Sequence, residues 1–296
     1  MRLTYQSALN LSLPAIADIH TAAFGGSWRS EPDKLADIFR TQSIDLRLSL
    51  VAYDGRRPIG IAFLGRRRAH GWLYDFAIAP AYRSHGVGTR LLTTTTREAI
   101  KAGVRDIELD VWEKRDDAIR LYERAGFEYR RSYLNFEATG AQLKLDQHEP
   151  PTSWHIRPCA VEEIVEWYAA ARPSEPEPCW ERRLPSLLTY GDAQACVVDD
   201  EHEPVACMHY AARPASGNDP DRIRPMFVGM RPGATASHLR ALLISAGSAF
   251  RDLKTTAFRV ALEPDQSTLS NMLIEVGLHT VGRALDMRLR LQPERV

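Results

Sequence analysis

The chain has 296 residues, with 38 Lys or Arg and 38 Asp or Glu, so its zero formal net charge gives no support to a nucleic-acid or membrane-surface binder. Its length fits two domains of about 150 residues. No apolar run approaches the ~20 residues that span a bilayer, and the N-terminal sequence MRLTYQSALN lacks the apolar core of a signal peptide. We therefore expect a cytoplasmic protein with no membrane partner.

The first half of the chain predicts a mixture of helices and strands. A short opening strand leads into two helices, one with Leu13, Ile16 and Ile19 on its apolar face and one with Leu35 and Ile38. Three strands joined by short turns follow, and these predict an antiparallel meander. The three strands of the meander are 46–53, 58–66 and 72–79. They are followed by helix 89–102, strand 106–112, helix 117–125 and strand 131–136.

The turn RSHGVG lies between the third strand of the meander and the helix after it. Successive backbone N–H groups of such a turn, with the first amides of the helix, form an anion site, and Arg83 can add a forked positive charge. Residues 1–148 carry a net charge of +4, which favours an anionic ligand in this half. The alternative is an ordinary turn with a solvated arginine. The sequence here matches neither the dinucleotide pattern G-x-G-x-x-G nor a P-loop.

Two segment pairs recur in the same order along the chain. VAYDGRRPIGIAFL (51–64) matches VVDDEHEPVACMHY (197–210) at an offset of 146, and LYERAGF (121–127) matches MLIEVGL (272–278) at an offset of 151. Two ordered matches indicate duplication, with an insertion near the turn-rich segment 215–221. We expect a first domain at 1–143, a linker at 144–153 and a second domain at 154–296.

All four cysteines lie in the second half, with His202 and His209 nearby. The chain has no C-x-x-C pair, and Cys196 and Cys207 fall in apolar, strand-like runs. This spacing favours buried free thiols over a metal site or disulfides, so we expect no metal. The other two cysteines are Cys159 and Cys179.

Three motifs together carry a family resemblance over residues 1–140. F-A-I-A-P, R-S-H-G-V-G-T-R-L-L and A-I-R-L-Y-E-R-A-G-F resemble, in order and spacing, the GNAT superfamily of acyl-CoA-dependent N-acetyltransferases. The repeat makes the whole chain similar to a tandem GNAT protein. The resemblance implies an α/β (α+β) fold of two GNAT-like domains. Each would be a mixed, mainly antiparallel twisted sheet with a central splay, flanked by helices.

The resemblance also implies which residues hold acetyl-CoA. Phe76, Ala77 and Ile78 would lie beside the pantetheine arm, at a splay between strands 72–79 and 106–112. Arg115 stands where the family commonly carries an Asn near the coenzyme. The residues that would cradle the pyrophosphate are Arg83, Ser84, His85, Gly86, Val87, Gly88 and Thr89.

Acetyl transfer to an amine needs a proton donor for the departing thiolate and a means of removing the amine proton. Tyr122 matches the family's general acid, with a core aromatic as the alternative role. The family's usual base position falls on Tyr74, next to Asp75. Strand alternation keeps these two from facing the substrate together unless a bulge intervenes, so Asp75 is one candidate base. Glu108 and Asp110 are the fallback, with a solvated or salt-bridged carboxylate as the alternative for each.

Residues before the meander and after it are candidates for lesser roles. His20, Phe24 and Trp28 lie where similar proteins shape the acceptor pocket, and packing is the simpler interpretation. A cationic amine could meet acidic residues in this region, or those residues could form a solvated helix face. The acidic residues are Glu31, Asp33 and Asp37. The run Arg66-Arg67-Arg68 predicts a turn, with contact to the 3′-phosphate of the coenzyme as an alternative.

The second copy is expected to be degenerate. Its turn GMRPGATAS holds one glycine and no arginine at the matching place, and Leu273 aligns with Tyr122. We expect it to pack against the first copy and to help form the acceptor site or an oligomer such as a homodimer. Trp180, Arg182 and Arg183 are candidates to face the acceptor.

The predicted function is transfer of an acetyl group from acetyl-CoA to a primary amine of a small-molecule or peptide acceptor, with no nucleic-acid partner. The amine attacks the thioester directly and Tyr122 acts as the general acid. One alternative is a non-catalytic acyl-CoA-binding sensor or scaffold. A second is a thiol-conjugate acetyltransferase similar to mycothiol synthase.

Overall fold

The structure, a computed structural model, describes residues 1–26, 29–147, 149–171, 177–215 and 219–292. The chain forms two compact units. The first unit is Met1–Arg130 with Leu285–Val296, and the second unit is Arg131–Ala284.

Strands and helices alternate along the chain much as the sequence predicts. The strands are β1 (Leu3–Ser7), β2 (Leu50–Asp54), β3 (Arg57–Arg67), β4 (His70–Ile78), β5 (Asp106–Trp112), β6 (Glu128–Thr139), β7 (Trp154–Pro158), β8 (Ala193–Asp200), β9 (Glu203–Arg213), β10 (Arg222–Met230), β11 (Ala257–Pro264) and β12 (His279–Arg290). The helices are α1 (Leu13–Ala23), α2 (Pro32–Thr41), α3 (Val87–Lys101), α4 (Asp116–Arg124), α5 (Glu163–Ala171), α6 (Leu184–Leu187), α7 (Ala236–Gly247) and α8 (Thr268–Val276).

The sheet of the first unit runs in the order β1-β2-β3-β4-β5 and then the part of β12 from Leu285 onward. The first four strands pair antiparallel. Strands β4 and β5 are parallel, and their pairing covers only His70–Trp72 against Asp106–Glu108. Beyond these residues the two strands part, which is the predicted splay.

A β-bulge lies in β4 at Tyr74. Phe63 pairs with Asp75 and Leu64 pairs with Leu73, so Tyr74 is the extra residue. Tyr74 and Ala77 both pack in the cluster formed with α1 and α2. Because alternate strand residues share a face, Asp75 lies on the same face as Ala77. The bulge therefore places Tyr74 and Asp75 on one side of the sheet, the condition under which both could face a substrate.

Helices cover both faces of the first unit. On one face α1 and α2 bury Ile16, Ile19 and Leu35 against β2, β3 and β4. On the other face α3 and α4 pack in a larger cluster that includes Leu91 and Tyr122. The sheet of the first unit therefore has a packed core on each of its two faces, and the splay opens between β4 and β5 of this sheet.

The second unit repeats this plan. Its sheet runs in the order β6-β11-β10-β9-β8-β7, and β10 and β11 pair parallel over two residue pairs only. The β8–β9 hairpin keeps the register of β2–β3 at an offset of 146, including the shift at the turn-side end of the pair. A bulge at Met226 of β10 matches the bulge at Tyr74 of β4. The α/β fold class with two GNAT-like copies is confirmed.

The insertion falls where the sequence predicts it. Strand β9 ends at Arg213 and β10 begins at Arg222, while the offset between the copies grows from 146 to 152. Residues 216–218 of this predicted insertion lie outside the described residues.

The compact units do not coincide with the domain boundaries predicted from the repeat. Strand β6, expected to close the first copy, pairs with β11 in the second unit. The C-terminal strand takes the place beside β5: Arg288 pairs with Asp106 at 3.0 Å and the Leu291 amide donates to the Arg105 carbonyl. Leu145, in the predicted linker, is buried in the core of the second unit. The boundaries 1–143 and 154–296 remain a proposal about the duplicated sequence.

Candidate active site

The turn between β4 and α3 presents a row of free amides. Ser84 (φ 62°) and Gly86 (φ 73°) are both in the left-handed region, a conformation that curves the chain into an anion-binding concavity. Within the described structure, no backbone N–H from Ser84 to Thr89 donates a hydrogen bond, and α3 has no side-chain N-cap. Six adjacent donors are therefore available to one anion at the positive end of a helix.

The two glycines of the turn have different roles. A Cβ at Gly86 would meet open space, so the positive φ is what requires glycine there. At Gly88 a Cβ would touch Leu121, Ile78 and Phe76 at ordinary contact distances of 3.5–3.7 Å. Gly88 therefore faces the protein, where the space would accommodate an alanine.

Arg83 is fixed at the end of the strand. Its Nε donates to the Ile78 carbonyl at 2.9 Å, and its side chain is exposed. The Arg83 carbonyl is in turn 2.6 Å from His85 Nδ1. The guanidinium is thus held beside the free amides, with its remaining N–H groups available to an anion.

Tyr122 lies on α4 in a largely apolar environment. Its side chain is 7% exposed, and its ring contacts Phe76 edge-on and Phe127 at centroid separations of 6.2 and 5.6 Å. Burial raises the pKa of the phenol well above 10; Arg115 opposes this, while Asp75 and Asp117 add to it. No described group hydrogen-bonds to its hydroxyl. Tyr122 is therefore a neutral phenol with an uncommitted proton.

Asp75 is held by a buried histidine. Its Oδ2 is 2.9 Å from His20 Nε2, and His20 Nδ1 is 2.5 Å from Ser30 Oγ. The His20 ring is fully buried on α1 and stacks on Phe63 at a centroid distance of 5.3 Å. The Asp75 side chain is 19% exposed, so the network ends at a carboxylate that solvent reaches. The side chain also acts electrostatically on Tyr122.

This network joins residues for which the sequence predicts different roles. It predicts His20 as a residue of the acceptor pocket or of the core and Asp75 as a candidate base, and it predicts no role for Ser30. The signal in the sequence is a histidine on the same helix face as Ile16 and Ile19, since a buried imidazole requires hydrogen-bond partners. Its partner lies 55 residues away, which no local pattern identifies.

The fallback carboxylates have other contacts. Glu108 is 5% exposed and lies 3.4 Å from Arg130, so it is a buried salt-bridged group. Asp110 is half-buried two residues further along β5. For Glu108 the structure thus matches the salt-bridge alternative.

Arg115 begins α4 and pairs with a neighbour. It occupies the N-cap position, and its Nε is 3.3 Å from Asp117, whose pKa it lowers by this hydrogen bond. Half of the Arg115 side chain is exposed. These contacts explain a local structural role, and a role in holding the coenzyme stays a prediction.

The acidic residues near α2 and the arginine run also have defined places. Glu31 lines a cavity of about 420 Å³ with Asp18 and Ser30, and it pairs with Lys34 at 3.0 Å. Arg67 donates to the Thr41 carbonyl and to Ser43, so the run is part of the β3–β4 turn region. Trp28 lies outside the described residues, while Phe24 packs on the His20 ring.

In the second unit the matching features differ. Thr235 and His238 form a capping box, in which the amide of Thr235 donates to His238 Nδ1 and the Thr235 side chain accepts from the third residue of α7. Leu273 is fully buried in apolar core. Trp180 and Arg182 are buried within the second unit, where Arg182 pairs with Glu263. Arg183 packs over the Trp180 ring.

The first unit thus combines a splayed sheet, a turn of free amides and a neutral phenol. The acetyltransferase (GNAT) family matches residues 13–127. The matched residues lie within the first unit. No helix of the described residues has the length and hydropathy to cross a membrane.

Solved structures share the fold over both copies. A tandem GNAT protein from the clavulanic acid biosynthesis pathway is 12% identical, with a TM-score of 0.70 over 99% of this chain and 100% of its own. A GCN5-related N-acetyltransferase from Sphaerobacter thermophilus is 17% identical, with a TM-score of 0.64 over 98% and 96%. Another from Anabaena variabilis is 14% identical, with a TM-score of 0.63 over 97% and 72%. At these identities the likeness establishes the tandem fold.

Proposed function

We propose that the first unit transfers an acetyl group from acetyl-CoA to the primary amine of a small-molecule or peptide acceptor. The observation that carries the proposal is the row of free amides from Ser84 to Thr89, in the same unit as a buried, uncommitted phenol. An anion-binding turn that also has Arg83 beside it suits a diphosphate. The family match to the same residues supports acyl-CoA as the bearer of that diphosphate.

The coenzyme has an extended arm as well as phosphates. Amide groups in that arm match the backbone of β4 where its pairing with β5 has ended, by the chemistry of strand addition. Phe76, Ala77 and Ile78 are the proposed residues beside it. When bound, acetyl-CoA supplies the thioester that is consumed in the reaction.

The chain's own residues provide the proton transfers. The acceptor amine loses a proton to Asp75, its nitrogen forms the C–N bond to the acetyl carbonyl, and the C–S bond breaks. Tyr122 gives its proton to the departing thiolate, and solvent restores that proton later. The raised pKa of Tyr122 keeps the phenol protonated at neutral pH, which is the state that a proton donor requires.

His20 is proposed as a positioning residue for Asp75. Its Nε2 contact fixes one carboxylate oxygen, and Ser30 fixes the other side of the ring. The carboxylate is thereby held in one orientation towards the amine. Since His20 is buried between Phe24 and Phe63, its orientation is set by packing as well as by hydrogen bonds.

The experiment is release of free thiol from acetyl-CoA with a panel of primary amines. We expect turnover with at least one amine, and Tyr122→Phe is expected to lower kcat about 100-fold while the dissociation constant of coenzyme A stays unchanged. Tyr129→Phe is the matched control, because Tyr129 is exposed in β6. Unchanged turnover in Tyr122→Phe would remove the general acid. Tight binding of coenzyme A without turnover on any amine would instead indicate a sensor.

A further inference from the structure

The second unit contains a cavity of about 470 Å³ at its own splay. Strands β10 and β11 pair only at Arg222–Ala257 and Ile223–Phe258, and they part beyond this point. The cavity lies between their diverging ends and is bounded by residues of α5 and α8. Its volume is in the range of small-molecule sites.

The walls of this cavity are mainly apolar. Strand β10 and helix α8 contribute large apolar side chains to the lining: Phe227, Val228, Met230, Leu269 and Met272. Burial of an apolar body against these side chains would be favourable by the hydrophobic effect. The ligand therefore needs an apolar portion.

Among the described residues three charged side chains line the cavity, and two of them neutralise each other. Arg182 pairs with Glu263, donates through Nε to the Met226 carbonyl, and is 7% exposed. Glu263 also accepts from Ser267 Oγ at 2.6 Å. This buried network is satisfied and contributes no net charge to the cavity.

Arg231 is the third charge, at the exposed edge. Its guanidinium lies 4.7 Å from the centre of the Trp167 ring, and it forms no ion pair with a described residue. The Gly233 amide, on the same edge of the cavity, donates no hydrogen bond in the described part of the chain. Within the described part of this edge, Arg231 and the Gly233 amide are thus the cation and the N–H donor available to an acceptor group.

Two features of the acyl-transfer site differ at the corresponding described places of the second unit. Thr235 and His238 occupy the capping positions of α7, and Leu273 stands where the first copy has Tyr122. A single cation with one amide suits a single negative charge better than a diphosphate.

We propose that the second unit binds a small monocarboxylic acid with an apolar body. The carboxylate would contact Arg231 and the Gly233 amide, and the body would fill the space between Phe227 and Met272. This site is separate from the acyl-transfer site of the first unit, and its occupancy does not require that the proposed function be correct.

Calorimetric titration with octanoate tests the proposal, with octan-1-ol as the uncharged comparison. We expect octanoate to bind to the full chain about fivefold more tightly than octan-1-ol, the effect of about 1 kcal/mol from one partly exposed charge contact. Arg231→Gln should bring octanoate to the affinity of the alcohol. Excess coenzyme A should leave octanoate binding unchanged.

Two variants of Met272 separate filling of the cavity from loss of the fold. Met272→Trp should abolish binding of both probes, while Met272→Leu keeps a similar apolar volume and should retain binding. Arg231 is exposed, so its variant is expected to keep the wild-type unfolding midpoint. Absence of octanoate binding, full affinity in Arg231→Gln or in Met272→Trp, or displacement by coenzyme A would each overturn the proposal.

Discussion

Replacement of His20 by Phe tests the network that ends at Asp75. Phenylalanine keeps a ring to stack on Phe63 and removes both ring nitrogens, which lie 2.9 Å from Asp75 and 2.5 Å from Ser30. A hydrogen bond to a charged group contributes about 1.5–3 kcal/mol. The Asp75 side chain is 19% exposed, so a hydrogen bond from water can compensate for part of the lost His20 contact. We therefore expect the free energy of unfolding to fall by about 1–2 kcal/mol.

The effect on catalysis is separable from the effect on stability. A released Asp75 keeps its charge and loses its orientation, so kcat should fall about tenfold, a part of the 10²–10⁴ that a general base contributes. The KM for acetyl-CoA should stay constant, since the substitution releases Asp75 and leaves the sequence of the amide turn unchanged. Thiol release over a range of acetyl-CoA concentrations, at saturating amine and at a temperature below the unfolding midpoint of each variant, measures kcat and KM. Asp75→Asn should lower kcat further, and Ser30→Ala should lower it less.

Wild-type kcat in His20→Phe, together with a reduced kcat in Asp75→Asn, would refute the positioning role and leave His20 as a packing residue. Wild-type kcat in Asp75→Asn would remove the base itself. His20→Gln is the conservative variant, because its amide can donate to Asp75, and partial recovery of kcat relative to His20→Phe is expected if the hydrogen bond matters.

Three further predictions concern stability. Gly86→Ala places a Cβ at φ 73°, so we expect a loss of ~1 kcal/mol, seen as a lower unfolding midpoint; an unchanged midpoint would contradict this. Gly88 lies in the first turn of α3, and a Cβ there meets Leu121, Ile78 and Phe76 only at ordinary contact distances, so Gly88→Ala should stabilise by ~0.5 kcal/mol; a loss of stability would contradict this. Burial lowers the pKa of His209 to about 4, and both ring nitrogens lack partners among the described residues. The unfolded chain then binds the extra proton between about pH 6.5 and pH 4, so ~3 kcal/mol of stability present above that window is lost as the pH falls through it. Denaturant titrations from pH 7 to pH 4 should show that the free energy of unfolding depends less on pH in His209→Leu than in the wild type. An equal pH dependence in the two proteins would refute this prediction.

Local patterns in the sequence predict much of the fold because their physics is local. The hairpins at 51–64 and 197–210 keep one register because each has the same strand length, turn and proline restart. The turn after β4 is predictable for the same reason: glycine marks a positive φ at residue 86. Ser84 also has a positive φ, with no glycine to mark it, so the full curvature of the turn is not readable from residue types.

The candidate site is only partly readable because its side chains meet through tertiary structure. Tyr122 and the amide turn follow from motifs, while the contact of Asp75 with His20 depends on where α1 packs on β4. The bulge at Tyr74 is a second such feature. It changes which face a side chain takes, yet the sequence near it, WLYDF, contains neither glycine nor proline to indicate the extra residue.

Strands β6 and β12 show why the sequence alone does not specify the domain boundaries. Both strands occupy the same position in their repeats, at an offset of 151, and both carry an amphipathic strand pattern that fits beside either β5 or β11. Periodicity specifies that a segment is a strand and which face is apolar, but not which of two equivalent sheet edges it joins. The partner is chosen by specific contacts, such as Arg288 with Asp106 beside β5 and Arg259 with Glu137 between β11 and β6. Such a pairing requires that the chain be synthesised to its C-terminus before the first unit gains its last strand. Truncation after residue 143 removes β12 and its Arg288–Asp106 contact, and leaves β6 to take the place beside β5. The isolated first copy is therefore expected to unfold at lower denaturant concentration than the first unit does in the full chain.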